Sequence, residues 1–174
     1  LEQDPDAAGR VIVNTCSFLT SAVEESLETL LELASAGKEV ICTGCLVSRY
    51  GRELLKELPE ISLFAGPGTY ERLPAALEGH ERFLAPEFNG VVKRSFITTG
   101  ASAYVKVSEG CSNRCSYCLI PKLRGELISK PADIVVEECR VLANQGVKEI
   151  ILIAQDLGSY GRDAGKKDTL SPLI

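Results

Sequence analysis

The sequence predicts an α/β protein in two parts: an open parallel sheet covered by helices, then the first βα units of a parallel barrel. Three observations carry that prediction. Strand and helix periodicities alternate through residues 1–82, they lapse over 83–102, and strand, loop, helix and strand signals resume from 103 onward. With 174 residues, 45% of them hydrophobic, the chain has enough apolar material to bury a core.

The first part reads βαβαβα. Residues 10–14 (RVIVN) are a β-branched run and the first expected strand. Over 21–36, Val23, Leu27, Leu30, Leu31 and Ala34 form an apolar stripe at helical spacing. Ser21 and Glu24 have the spacing of a capping box at its start, and Gly37 marks its end. Residues 39–42 (EVIC) read as the second strand, 49–58 as a second helix halted near Pro59, 61–65 as a third strand and 69–77 as a third helix. An open parallel sheet binds ligands at the carboxyl ends of its strands. Cys16 and Cys45 follow the first two strands there. Free cysteine is also a common small core residue, so the residues alone leave both roles open.

The linker expected over 83–102 holds Pro86, Asn89, Gly90 and Gly100 between brief apolar runs. The domain beyond it, 103–174, begins with the alternating run AYVKV, a strand at 103–107. A helix is expected over 131–144, with Pro131 in its first turn and Gly146 just past its end, and a strand over 148–154. The segment Gln155-Asp156-Leu157-Gly158 then lies at the active edge of a βα barrel. Too few βα units follow to close such a barrel. The absence of Met and the start at Leu1 add to the expectation that the chain is a piece of a longer protein, inactive by itself.

Composition narrows the partners. A formal net charge of -5 argues against a broad basic nucleic-acid surface. No apolar run is long enough to cross a bilayer and no signal peptide is visible, so the seven cysteines suggest a reducing cytoplasm.

Between strand and helix of the second part stands Glu109-Gly110-Cys111-Ser112-Asn113-Arg114-Cys115-Ser116-Tyr117-Cys118. Three thiols in eight residues, spaced CxxxCxxC, can converge on one soft metal centre. A structural zinc would want a second CxxC pair or a histidine, and the single histidine, His80, is distant in sequence. Disulfide frameworks belong to short secreted chains. A closed iron–sulfur cluster takes four cysteines, so three imply a cluster with one iron open to a small ligand. A noncatalytic iron–sulfur electron carrier or binding module is the competing reading. Cys42, within a strand, and Cys139, on the apolar helix face with Val135 and Leu142, read as core.

The stretch EGCSNRCSYCLIPKLRG resembles the cluster loop of radical S-adenosylmethionine (SAM) enzymes, and in particular of the methylthiotransferases. NTCSFLTSAVEES and TGCLVSRYGRELLKELPE are similar to the amino-terminal domain of that family. The resemblance implies two 4Fe-4S clusters. Cys111, Cys115 and Cys118 would bind the SAM-chelating one. Cys16 and Cys45 match two of the three ligands of an auxiliary cluster, the third lying upstream of this sequence. It further implies that Tyr117 sits near the SAM adenine, that Gln155 is a SAM contact, that Arg124-Gly125 border the site, and that an electron donor such as flavodoxin or ferredoxin serves the cluster. Within the family, these segments together with IPKLRGELISKP and AQDLGSYG are most similar to members acting on an aspartate of ribosomal protein S-twelve. Members acting on adenosine in tRNA, the alternative, often carry Gln-Asn where this chain has Gln155-Asp156.

Overall fold

A computed structural model describes residues 7–88, 100–165 and 170–173 of the chain. The chain divides into two units, residues 1–87 and 88–174.

In the first unit, β1 (Arg10–Thr15), β2 (Glu39–Gly44), β3 (Leu63–Ala65) and β4 (Phe83–Leu84) form one parallel sheet in chain order. Because side chains alternate across a strand, β2 and β3 feed two cores. Val40, Cys42 and Phe64 pack with Val23 and Leu30 of α1 (Thr20–Ser35), Leu46 and Val47 of α2 (Cys45–Tyr50) and Leu54 of α3 (Leu54–Glu57). On the opposite face Ile41, Leu63 and Ala65 pack with Leu73 and Ala76 of α4 (Leu73–Glu78) and with Leu84. A sheet buried on both faces accounts for the near-continuous apolar character of β2.

Several local expectations change here. Helix α1 is capped by the backbone of Leu19, whose carbonyl accepts from Val23 N–H, and no side chain caps it. Ser21 therefore lies inside the first turn, and the expected capping box is not formed. At the other end Gly37 does stop the helix: its φ of +76° lets its N–H and that of Lys38 bond the carbonyls of Ala34 and Leu33. The second helix starts at Cys45 rather than near 49. It breaks at Gly51, whose φ of +59° is not helical, so a 3-10 turn (Gly51–Glu53) separates α2 from α3. The third helix is likewise split, a 3-10 turn at Tyr70–Arg72 leading into α4. Strand β4 occupies residues 83–84, the first two of the expected linker, while residues 89–99 of that linker lie outside the described residues.

In the second unit, β5 (Ser102–Lys106) pairs in parallel with β8 (Glu149–Ile153), Ala103 opposite Ile150 and Val105 opposite Leu152. Between them run β6 (Ser108–Glu109), α5 (Ile120–Arg124), β7 (Ile128–Ser129) and α6 (Ala132–Asn144). Helix α6 ends as its sequence predicts: at Gly146, φ +91°, the glycine N–H bonds the Ala143 carbonyl and Val147 N–H reaches back to Leu142. Ala103, Val105, Val107, Val135, Leu142, Val147 and Tyr160 form the core, with Cys139 packed against it. Among the described residues no helix is long and apolar enough to cross a membrane.

Candidate metal centre

The chain leaves β5 with Val107, whose N–H still bonds the Ile153 carbonyl, and then departs from the barrel-type strand. Strand β6 pairs antiparallel with β7, Ser108 opposite Ser129 and Glu109 opposite Ile128. That two-residue clasp closes the base of a loop whose free part is 110–127. The turn at its start is Gly110, with φ +69°. A Cβ there would stand 2.1 Å from the Glu126 carbonyl oxygen and 2.5 Å from that of Gly125, so only glycine allows the two limbs of the loop to lie together. Cys111 N–H then donates to the Gly125 carbonyl at 3.1 Å. Glu109, beside this turn, is ion-paired to Lys106, and Arg124 Nη1 lies 3.6 Å from the same carboxylate.

From Cys111 to Leu119 the backbone is irregular, with one tight turn in which Cys118 N–H donates to the Cys115 carbonyl at 3.0 Å. Cys111 is buried at 8% exposure, Cys118 is half-buried and Cys115 is exposed. Tyr117, in the turn, is 87% exposed. The three spacer residues between Cys111 and Cys115 are each anchored. Ser112 Oγ accepts from Leu127 N–H at 3.0 Å, Asn113 Nδ2 donates to Asp156 Oδ2 at 2.6 Å, and Arg114 pairs with Glu126 at 2.9 Å.

The segment after β8 supplies the other wall. Asp156 also accepts from Ser159 Oγ at 2.6 Å, and the bonds from Ser159 and Asn113 hold its carboxyl below the usual aspartate range. Gln155 Oε1 is buried and lacks a hydrogen-bond partner among the described residues. Further along, Asp163 receives both Ser129 N–H (2.8 Å) and Ser129 Oγ–H (2.6 Å), and Tyr160 O–H donates to the Lys130 carbonyl. Burial alone would raise the Asp163 carboxyl, but these bonds outweigh it and leave it lowered.

In the first unit the register Thr15↔Gly44 puts Cys16 and Cys45 one residue past the ends of two neighbouring strands. Gly44, φ +98°, approaches so closely that a Cβ would meet the Thr15 carbonyl oxygen at 2.5 Å. Thr15 Oγ1 donates to the Thr43 carbonyl and accepts from Leu46 N–H, which seats the start of α2 on the end of β1. Cys45 is thus the first residue of a helix, at 1% exposure, where a loop residue is expected, whereas Cys16 is exposed. Cys42 is fully buried, and burial pushes its thiol up to about 12. Burial, then the neighbouring Glu138 charge, raises the Cys139 thiol as well. Both occupy core positions.

Among the described residues no three His, Cys, Asp or Glu side chains are arranged as a ready metal site. The donor set nonetheless fits an iron–sulfur group. Three thiols share one irregular loop that has no helix or strand to break when they converge, and an unpartnered buried acceptor, Gln155 Oε1, lies at the end of the adjacent strand. The Asn113–Asp156 bond, the β6–β7 clasp and the Asp163–Ser129 pair escape sequence reasoning because no motif or period marks them.

The profile of the uncharacterized protein family UPF0004 matches residues 1–66. Curated relatives match along nearly the whole chain. The ribosomal protein uS12 methylthiotransferase RimO of Moorella thermoacetica is 46% identical, over 98% of this chain and 42% of its own length. That of Aquifex aeolicus is 41% identical, over 100% and 39%, and that of Clostridium novyi 39% identical, over 98% and 41%. The chain therefore spans about two fifths of these relatives. A solved structure of TsrM from Kitasatospora setae, a radical S-adenosylmethionine methyltransferase, matches 85% of this chain and 36% of its own with TM-score 0.58. At 17% identity that likeness concerns the fold alone. The parallel α/β fold and the similarity along the entire chain agree: over the two fifths of their length that it spans, the chain is similar to the uS12 methylthiotransferases.

Proposed function

We propose that this chain is the part of a radical SAM methylthiotransferase that holds its iron–sulfur centres, and that the whole enzyme inserts a methylthio group at the β-carbon of an aspartate in ribosomal protein S-twelve. The observation that carries the reading is the loop after β5, in which Cys111, Cys115 and Cys118 sit on one irregular stretch closed at its base by the β6–β7 clasp. A 4Fe-4S cluster with one open iron, when bound, supplies the electron that cleaves SAM to a carbon radical able to take hydrogen from an unactivated C–H bond.

The three thiolates hold that cluster, and Gly110 keeps the two limbs of the loop in contact. Tyr117, being solvent-facing, is available to lie on the adenine of SAM, and Gln155 offers it an unused acceptor. Cys16 and Cys45 hold an auxiliary second cluster together with a ligand from outside this sequence. Similarity to relatives named as uS12 methylthiotransferases supports the protein substrate. A flavodoxin or ferredoxin donor and a cytoplasmic location complete the reading.

Anaerobic reconstitution of the chain with iron and sulfide is expected to give a 4Fe-4S cluster whose reduced EPR signal changes on adding SAM. Replacing Cys111, Cys115 or Cys118 by Ala should abolish that signal, while Cys139→Ala should leave it. A SAM-insensitive signal would favour a noncatalytic iron–sulfur module. For the substrate, the full-length parent is incubated with SAM, reductant and either the ribosomal protein or tRNA, and mass spectrometry locates the methylthio group. A modified nucleoside with untouched aspartate would overturn the protein substrate.

A further inference from the structure

The spacer of the CxxxC half-motif is tied down at three points, and two of them, Ser112 to Leu127 and Arg114 to Glu126, lie within the loop's own return limb. Only Asn113 reaches out of the loop among these three, bonding Asp156 at the carboxyl end of β8. Asp156 is in turn braced by Ser159 Oγ–H on the same oxygen. The segment carrying Asp156 does not swing freely, because Gly161 N–H and Asp163 fasten it to Ser129 and Tyr160 O–H fastens it to Lys130. A fixed carboxylate thus holds the middle of the spacer between the first two cysteines.

We propose that Asp156 is a positioning residue, which through Asn113 sets the placement of Cys111 and Cys115 for the cluster. This rests on the reading of the loop as a cluster site, but the bond precedes the cluster and is testable without it. Losing the bond frees the spacer on the β8 side and leaves the two internal ties in place. Cys111, largely buried, is the thiol whose accessibility should respond.

The test is residue-resolved alkylation of the 174-residue chain by iodoacetamide under anaerobic conditions, read by mass spectrometry. In Asp156→Ala and in Asn113→Ala, Cys111 should react about fivefold faster, the factor that about 1 kcal/mol of lost hydrogen bonding corresponds to. The double variant should react no faster than either single one, since both remove the same bond. Asp156→Asn keeps an acceptor oxygen and should stay near the parent rate. Cys139, in the same unit, is the internal control. A parallel rise at Cys139, additive effects in the double variant, or an unchanged Cys111 would each overturn the proposal. Reconstitution of the unmutated chain is run alongside: failure to bind any cluster would refute the cluster reading and leave the alkylation result to judge the positioning of the loop.

Discussion

Replacing Gly110 by Ala should damage the second unit far more than an ordinary glycine substitution. Two costs combine. The backbone at φ +69° disfavours a Cβ by about 1 kcal/mol. The added Cβ would also fall 2.1 Å from the Glu126 carbonyl oxygen, so that backbone must retreat by about an ångström. Retreat breaks the Cys111 N–H to Gly125 bond and strains the Leu127 N–H to Ser112 bond, at about 1 kcal/mol each. The total is about 3 kcal/mol, a large share of what a domain of this size commands. Gly146→Ala separates the two terms, because Gly146 has φ +91° with nothing within 4 Å of its Cβ position and should lose about 1 kcal/mol only. A urea titration with pulsed alkylation of Cys139 reports the second unit alone. Its midpoint should fall by about 2 M in Gly110→Ala for a slope near 1.5 kcal/mol/M, and by about a third of that in Gly146→Ala. Equal shifts in the two variants would refute the close-approach argument.

Lys130 and Glu138 form an ion pair at 2.6 Å with 9% and 8% side-chain exposure, so Glu138→Ala, leaving a buried ammonium, should cost about 3 kcal/mol or more by the same titration, whereas replacing both by apolar residues should cost much less. The Asp163 carboxyl is held below 3.8, so its clasp on Ser129 contributes stability above that value and loses it as pH falls through and below 3.8; acid titration of Asp163→Asn should lack this component, and an identical acid profile would contradict it. Cys42, its thiol near 12 and wholly buried, should resist iodoacetamide at pH 8 in the folded chain and react on unfolding, whereas exposed Cys16 should react at once.

How far the sequence reveals the fold depends on whether an element is long enough to show a period. Helices α1 and α6 and strands β2, β5 and β8 repeat their apolar positions several times and emerge within a residue or two of expectation. Strands β4, β6 and β7 are two residues each and leave no pattern. The capping box at Ser21 and Glu24 has the right spacing, yet the helix begins one residue earlier on a backbone cap, a choice set by how β1 delivers the chain to Leu19. The start of α2 at Cys45 depends on the Gly44 turn and the Thr15 hydroxyl, both tertiary facts. At the candidate site the cysteines are legible because their chemistry is compressed into eight residues. Asn113 and Asp156 are not, because a hydrogen bond between residues 113 and 156 has no local signature.

The direct pairing of β5 with β8 governs how this half of the molecule forms. Lys106 and Ile153 are neighbours across the ladder, and the loop, α5, β7 and α6 all lie between them in sequence. Folding must close that excursion of 46 residues, 107–152, before the core of Val105, Val135 and Leu142 rewards it, and the cost of closure grows only as the logarithm of its length. A few residues added or removed within the cysteine loop thus change the closure term by far less than the roughly 0.6 kcal/mol that doubling the whole excursion costs. Closure entropy therefore sets almost no limit on the length of the cysteine loop, and what fixes that length is the thiol spacing and the ties at Gly110, Ser112, Asn113 and Arg114.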